Sequence, residues 1–295
     1  MSDSHVSVVL LSWNDADSLR GCLDSLQGCG YPHLSVLVVD NASSRYDARR
    51  LCEGRDLELI VNPENKGVAG GRNVGLARLL DAPRTRFILF LDDDTQVGPE
   101  MIERLVRAWN PDEGRAILGP AVYRLDSPGS LWSLGGRWHP GTGRTSRVAA
   151  PRRPDSKFEP VDFITGCAFF SHRRVFERVG LFDEAFNPYY GEDVDLCLRA
   201  ARLGFRSACV TEASVLHRMS HAAGGRLYNA GYAYQKGEKT VMLMRRHAKP
   251  AHWASFLMFE PVFLAGAAVR EGSRGNIGAV SALVKGMLGG LRRAS

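Results

Sequence analysis

Apolar residues in the first half of the chain follow two alternating rhythms. Short β-branched runs at 6–11, 34–39, 57–61 and 87–91 are apolar on both faces. Between them apolar positions recur with helical spacing, as at Leu19, Cys22, Leu23 and Leu26, or at Met101, Ile102, Leu105, Val106 and Trp109. Strands buried on both sides and separated by helices predict an α/β fold, a Rossmann-like and mainly parallel sheet with helices on both faces. Such sheets bind ligands beyond the carboxyl ends of their strands. The residues there are polar: Ser12, Trp13 and Asn14 after the first run, Asp40 and Asn41 after the second, 62–66 after the third, and Asp92, Asp93 and Asp94 after the fourth.

The rhythm breaks over 125–160, where Gly135, Gly136, Gly141 and Gly143 precede Pro151 and Pro154. A hairpin or flap around Trp132 to Trp138, followed by a mobile surface loop, is expected. Regular structure resumes at Val161, with a helix near 173–179 closed by Gly180 and an acidic helical segment over 191–202. The pattern divides the chain into an α/β domain over 1–225 and a basic helical extension over 226–295. Within the first, the break in rhythm separates two halves, about 1–125 and about 126–225.

Charge sharpens that division. From residue 226 onward eleven Lys or Arg face three Glu, a balance of +8 in a chain whose total is +6, so residues 1–225 carry −2. An electrostatic partner is therefore to be sought at the extension. Its longest apolar stretch, 253–269, is interrupted by Glu260 and Pro261 and falls short of the roughly 20 residues a spanning helix needs. Peripheral contact with a membrane surface, or packing as ordinary helices, is expected instead. The first apolar run is too short for the core of a secretion signal, so a cytoplasmic location, with possible peripheral contact at the inner face of the membrane, is expected. Six scattered cysteines without a Cys-x-x-Cys pair indicate neither a zinc ribbon nor a disulfide framework, and no nucleic-acid partner is expected.

Asp92, Asp93 and Asp94 emerge together from a buried strand, where like charges repel unless a cation or a proton intervenes. Oxygen ligands suit Mg²⁺ or Mn²⁺ shared with a substrate's phosphates, and an acidic loop capping the next helix is the alternative. Asp40 is placed to accept hydrogen bonds from a nucleobase or ribose, or to form an Asx-turn. The segment 65–75 joins a strand to a helix; its glycines (67, 70, 71 and 75) allow close approach, and the helix start would face the pocket, but their spacing does not fit G-x-G-x-x-G. Glu192 and Asp193 begin a helix, where acids complement the dipole; Asp193 is equally placed to remain ionised and serve as a base. His217 ends an apolar run and on its own reads as a structural side chain.

Taken in order, the segments 6–14, 38–43, 65–73, 90–95, 180–184 and 191–196, with His217 after them, resemble family 2 glycosyltransferases, and within them a rhamnosyltransferase-like branch. The resemblance implies a GT-A fold and an inverting transfer of a sugar from a nucleoside-diphosphate sugar, dTDP-rhamnose or a UDP-hexose, to a hydroxyl of a glycan, a lipid-linked or a small-molecule acceptor. It makes 1–225 the catalytic domain, with about 1–125 as its nucleotide-sugar half and about 126–225 as its acceptor half. It makes Asp40 a nucleotide contact with Ser12 and Asn14 beside it, and Asn65, Gly67, Arg72, Asn73, Asp92 and Asp93 nearby. Asp92, Asp94 and His217 become ligands of Mn²⁺ or Mg²⁺, and Asp193 the catalytic base. Trp13 stands where the family more often has Tyr. Trp132, Tyr189, Tyr190 and Glu192 are acceptor-side candidates. A nucleotide-dependent oxidoreductase and a non-catalytic glycan-binding relative are the competing readings. The glycine spacing and the Glu192–Asp193 pair oppose the first, and the presence of Asp92, Asp94, Asp193 and His217 opposes the second.

Overall fold

The computed structural model describes residues 4–110, 112–218 and 229–293. The four apolar runs are strands: β1 (Val6–Ser12), β2 (Leu34–Asp40), β3 (Glu58–Val61) and β4 (Phe87–Asp92). They alternate with α1 (Ala16–Gly28), α2 (Ala48–Cys52) and α3 (Gly67–Leu80). All of their pairings are parallel, in the order β4-β1-β2-β3. The alternation of strands and helices thus yields the expected parallel half-sheet, with Leu19, Cys22, Leu23 and Leu26 forming the buried face of α1, but β3, at the edge of the sheet, exposes Glu58 and Val61 rather than being buried on both faces.

Beyond β4 the sheet becomes mixed. After β5 (Thr95–Val97) and α4 (Met101–Ala108) come β6 (Arg115–Arg124), β7 (Ser127–Ser133), β8 (Gly136–His139) and β9 (Arg144–Arg147). They are followed by β10 (Phe158–Val161), β11 (Ala168–His172), α5 (Arg173–Val179), α6 (Glu192–Arg202) and β12 (Arg206–His217). The sheet runs β10-β12-β6-β11-β4-β1-β2-β3, with β5 beside β12 and β7 beside β6. β11 is antiparallel to both β4 and β6, whereas β6 and β12 are parallel. The expected flap is β7, which extends the main sheet, and the separate ribbon of β8 and β9.

The glycines of α3 press against the sheet. A Cβ at Gly71 would stand 2.5 Å from Leu11 Cδ1, and one at Gly75 2.5 Å from Val9 Cγ1. Only a helix face without side chains approaches β1 this closely, so the close approach inferred from sequence is to the core.

The chain forms two compact units. One comprises residues 4–137, 147–188 and 192–218; the other comprises 138–146, 189–191 and 229–293. The sequence-based boundary at 225–226 lies outside the described residues.

In the second unit three helices, α7 (Ala230–His247), α8 (Pro250–Gly272) and α9 (Ile277–Arg292), follow one another. Gly286 of α9 faces the Tyr234 carbonyl and Gly290 the Glu238 carbonyl, while Gly237 of α7 faces the Leu283 carbonyl, so the two backbones meet without intervening side chains. α8 continues through Pro261 and is 23 residues long, which corrects the sequence-based count and makes it long and apolar enough, by length and composition, to cross a membrane. Glu260, in the middle of α8, is buried and held by Arg144 Nη1 at 2.6 Å and Nη2 at 3.0 Å.

Candidate active site

Strand register assembles the acidic cluster. β4 ends at Asp92 and β5 starts at Thr95, so Asp93 and Asp94 form the whole connection between them. The end of β12 then pairs antiparallel with β5, setting His217 opposite Thr95 and beside the turn. One ligand atom each from Asp92, Asp94 and His217 lies within 4.8 Å of the others, and His217 Nε2 is 2.9 Å from an Asp94 oxygen. Burial lowers the His217 pKa, but the hydrogen bond to Asp94 and the charges of Asp94, Asp92 and Asp93 outweigh it, and the net direction is upward. The imidazole Nδ1 is buried without a hydrogen-bond partner, and the Trp132 ring meets the imidazole edge-on at 5.7 Å. The Arg147 guanidinium lies over the Trp132 ring, 5.0 Å from its centroid.

Arg72 links this cluster to the start of α6. Its Nη2 donates to Asp92 Oδ1 (2.8 Å) and to the Gly166 carbonyl (3.0 Å), and its Nη1 to Glu192 Oε1 (2.9 Å). Gly166 has no side chain because the guanidinium occupies that place, 2.7 Å from a built Cβ. The Gly166 amide in turn donates to Asp193 Oδ2 at 2.9 Å, and the Val194 amide to Asp193 Oδ1 at 2.8 Å. Burial is the main influence on Asp193 and raises its pKa against the opposing pull of Arg72 and these amides. The ionised state inferred from helix position alone is therefore countered by desolvation. Glu192, buried and next to Asp193, is pushed up to about 7 by burial and then by Asp193, with Arg72 opposing.

On the opposite side of the triplet, Asp93 Oδ2 accepts from the Ser12 hydroxyl (2.6 Å) and the Trp13 amide (3.3 Å). Burial and the neighbouring Asp94 and Asp92 raise Asp93 to about 7, although the Ser12 hydrogen bond opposes the shift. Ser12 Oγ is also 2.7 Å from the hydroxyl of Tyr46, which donates to Asp40 Oδ1 at 3.3 Å. Tyr46 was not anticipated; its only sequence signal is a lone aromatic in the polar stretch after Asp40. Asp40 also accepts from the Ser43 amide at 3.2 Å, so the turn-bracing alternative is realised. Asn14, at φ 60°, uses its Oδ1 to hold the Ser44 and Arg45 amides.

Several residues expected to face a donor are instead built into the framework. Arg72 is 2% exposed with both terminal nitrogens engaged, and Asn73 is buried between Phe182 and Glu184. Asn65 Oδ1 accepts from Asn41 Nδ2 and the Gly67 amide. Gly67, at φ 70°, lies so close to the Asn187 side chain that no Cβ fits. The start of α3 is not an open anion site either, since Asn187 Oδ1 accepts from the Ala69 amide (3.0 Å) and the Pro188 carbonyl from Val68 (2.9 Å). Tyr189 and Tyr190 belong to the second unit, where both rings contact Tyr232.

Five carboxylates (Asp92, Asp93, Asp94, Glu192 and Asp193) thus surround one buried guanidinium and one imidazole. That excess of negative charge, with hard oxygen ligands and a nitrogen converging from three sides, fits a divalent cation.

A family model described as glycosyl transferase family 2 matches residues 7–180. The chain is 30% identical over 255 residues to a pre-mycofactocin glycosyltransferase of Mycobacterium tuberculosis, covering 85% of this chain and 50% of that one. It is 26% identical over 238 residues to an N-acetylglucosaminyl-diphospho-decaprenol L-rhamnosyltransferase of the same organism, covering 74% and 77%. The chain spans 50% to 62% of the first curated relatives it matches. Among solved structures, the mannosyltransferase PcManGT of Pyrobaculum calidifontis, in complex with GDP-Man and Mn²⁺, superposes with a TM-score of 0.60 at 16% identity, covering 99% of this chain and 88% of that one. This is the GT-A fold.

Proposed function

The chain belongs to glycosyl transferase family 2, and we propose that it transfers a sugar, with inversion, from a nucleoside-diphosphate sugar to an acceptor hydroxyl. The observation that carries this reading is the convergence of Asp92, Asp94 and His217, joined to Asp193 through Arg72 and Gly166. The proposed donor is dTDP-rhamnose or a UDP-hexose, in keeping with the rhamnosyltransferase among the relatives. A Mn²⁺ or Mg²⁺ ion held by Asp92, Asp94 and His217 would act as a Lewis acid on the donor's diphosphate.

Asp193 accepts the proton of the acceptor hydroxyl as its oxygen bonds to the anomeric carbon. The bond from that carbon to the diphosphate breaks, and a nucleoside diphosphate leaves. Arg72 and the Gly166 amide fix where the Asp193 carboxylate stands, and Ser12, Asp40 and Tyr46 form the polar wall on the nucleotide side. Within the catalytic domain over about 1–225, the donor is assigned to about 1–125 and the acceptor to about 126–225, and the helical extension beyond it is assigned the membrane contact. The proposed acceptor is a lipid-linked glycan, met at the inner face of a membrane. Leu257, Met258, Val262 and Val269 are 65%, 64%, 67% and 76% exposed on α8, and Arg245, Arg246, Lys249, Arg270 and Arg274 flank them, a pairing of apolar face and cations suited to an anionic bilayer surface. The diphospho-decaprenol in one relative's name points the same way.

A panel of nucleoside-diphosphate sugars, scored for released nucleoside diphosphate with Mn²⁺, with Mg²⁺ and with chelator, tests the reaction. Release from one deoxythymidine or uridine donor, lost with chelator, is the expected result; failure of every donor in the presence of metal would sink the reading. Co-sedimentation with anionic but not neutral vesicles at low salt tests the membrane contact, and equal recovery with both would remove it.

A further inference from the structure

Strand β7 carries Trp132 in a break of register. Val122 of β6 pairs with Ser133, but the next residue, Tyr123, pairs with Leu131, so Trp132 is an extra residue opposite that step. A bulge of this kind re-aims a side chain that strict alternation would place otherwise. The packing agrees: Leu131 and Leu134, three residues apart, belong to one apolar cluster, whereas Trp132 packs against the main core with Val122 and Val215. β12 runs parallel to β6 with Val215 beside Val122, and His217, two residues further on, projects from that same face. The bulge therefore brings the indole to the imidazole, which it meets edge-on with ring centroids 5.7 Å apart.

The backbone at His217 is already fixed. Its carbonyl accepts from the Leu125 amide at 2.9 Å, and the Arg218 amide donates to the Asp94 carbonyl at 2.9 Å. What remains is rotation of the ring. In metal sites the second imidazole nitrogen usually settles this by donating to a carboxylate, a carbonyl or water. His217 Nδ1, however, is buried with no hydrogen-bond partner among the described residues. The 2.9 Å contact from Nε2 to Asp94 cannot take its place, because a ring nitrogen that ligates a cation has no proton to donate. That leaves the indole as the one aromatic contact on the imidazole among the described residues. Trp132 Nε1 is likewise buried without a hydrogen-bond partner, so packing places the indole, and the exposed Arg147 guanidinium covers its ring 5.0 Å from the centroid.

We propose that Trp132 is a positioning residue of the metal site, setting the rotation of the His217 imidazole so that its nitrogen meets the carboxylates of Asp92 and Asp94, with Arg147 bracing the indole. The inference rests on the metal role proposed for Asp92, Asp94 and His217. Trp132 touches neither the ion nor the donor in this role and acts through His217.

Titration of the full chain with Mn²⁺ alone, counting the free ion by electron paramagnetic resonance, is the direct test. Trp132→Leu is expected to weaken Mn²⁺ binding about tenfold or more, the scale for losing a group that orients a ligand. Trp132→Phe keeps a ring at the same place and should stay within about threefold of the wild type. Arg147→Met, at an exposed position where folding is not at stake, should cost about two- to fivefold, the range of an exposed cation–π contact.

The decisive comparison repeats Trp132→Leu and Arg147→Met in a His217→Ala background. Both losses should shrink to less than about twofold there, because the residue they act through is gone. A merely structural role would give equal losses in the two backgrounds. That result overturns the proposal and leaves the metal site standing, as does wild-type Mn²⁺ affinity in Trp132→Leu. Should Trp132→Leu not fold, Arg147→Met decides by the same comparison. If the wild type binds no Mn²⁺ that Asp94→Ala loses, the metal role fails and the proposal falls with it.

Discussion

Asp193→Asn is expected to reduce transfer by roughly 10²- to 10⁴-fold, the range for losing a general base, while metal-dependent binding of the nucleoside diphosphate stays near wild type. The substitution keeps the volume, and one amide oxygen can still accept from Gly166 or Val194, but the group no longer takes a proton. Because burial raises the Asp193 pKa, the base is ionised only above the ordinary aspartate range, and the wild-type rate should rise with pH through that displaced value. Steady-state rates across pH, with calorimetry of nucleotide binding, check both parts. Turnover like that of the wild type in the variant would remove Asp193 from the role.

Asp94→Ala is the second large effect, expected to weaken metal-dependent binding of the nucleoside diphosphate by about 2–5 kcal/mol, roughly 30-fold or more. Asp94 is buried, pairs with His217, and is one of the three converging candidate ligands, so its loss removes a charged ligand and leaves the imidazole without that carboxylate. His217→Ala should cost less, since it removes a neutral ligand that both aspartates outlast. Calorimetry with Mn²⁺ and with chelator separates the outcomes. Unchanged affinity in Asp94→Ala, or binding that chelator does not affect, would make the triplet an acidic turn with no part in holding a metal.

The parallel half of the fold was legible because its strands are short, mainly apolar runs, broken only by Ser7, Ser35 and Glu58 and bounded by polar residues, which leaves few alternatives. The mixed half was not. β5 is only three residues long, and the pairing that brings His217 to Asp94 joins residues more than a hundred positions apart, a register that no local pattern records. His217 was therefore recognisable only through the family resemblance. Arg72, Asn73 and Gly67 read from the resemblance as donor-side residues, but sequence alone does not tell a residue facing a ligand from one building the wall behind it. Pro261 read as an interruption because a proline removes a backbone donor; at an exposed position within a long helix, that loss does not end the helix.

The second unit draws on three separate stretches of the chain, and this bears on exchanging parts between relatives. A chimera joined after residue 218 would appear to transplant the helical extension whole, yet it would leave Arg144 behind, since the ribbon would be the recipient's own. Unless that recipient supplied a guanidinium at the matching place, Glu260 would arrive in its buried position unpaired, a loss of about 3–5 kcal/mol and comparable to much of a domain's net stability. The ribbon residues and the helical tail therefore behave as one unit, and exchanging the tail without residues 138–146 is expected to lower stability before any activity is measured.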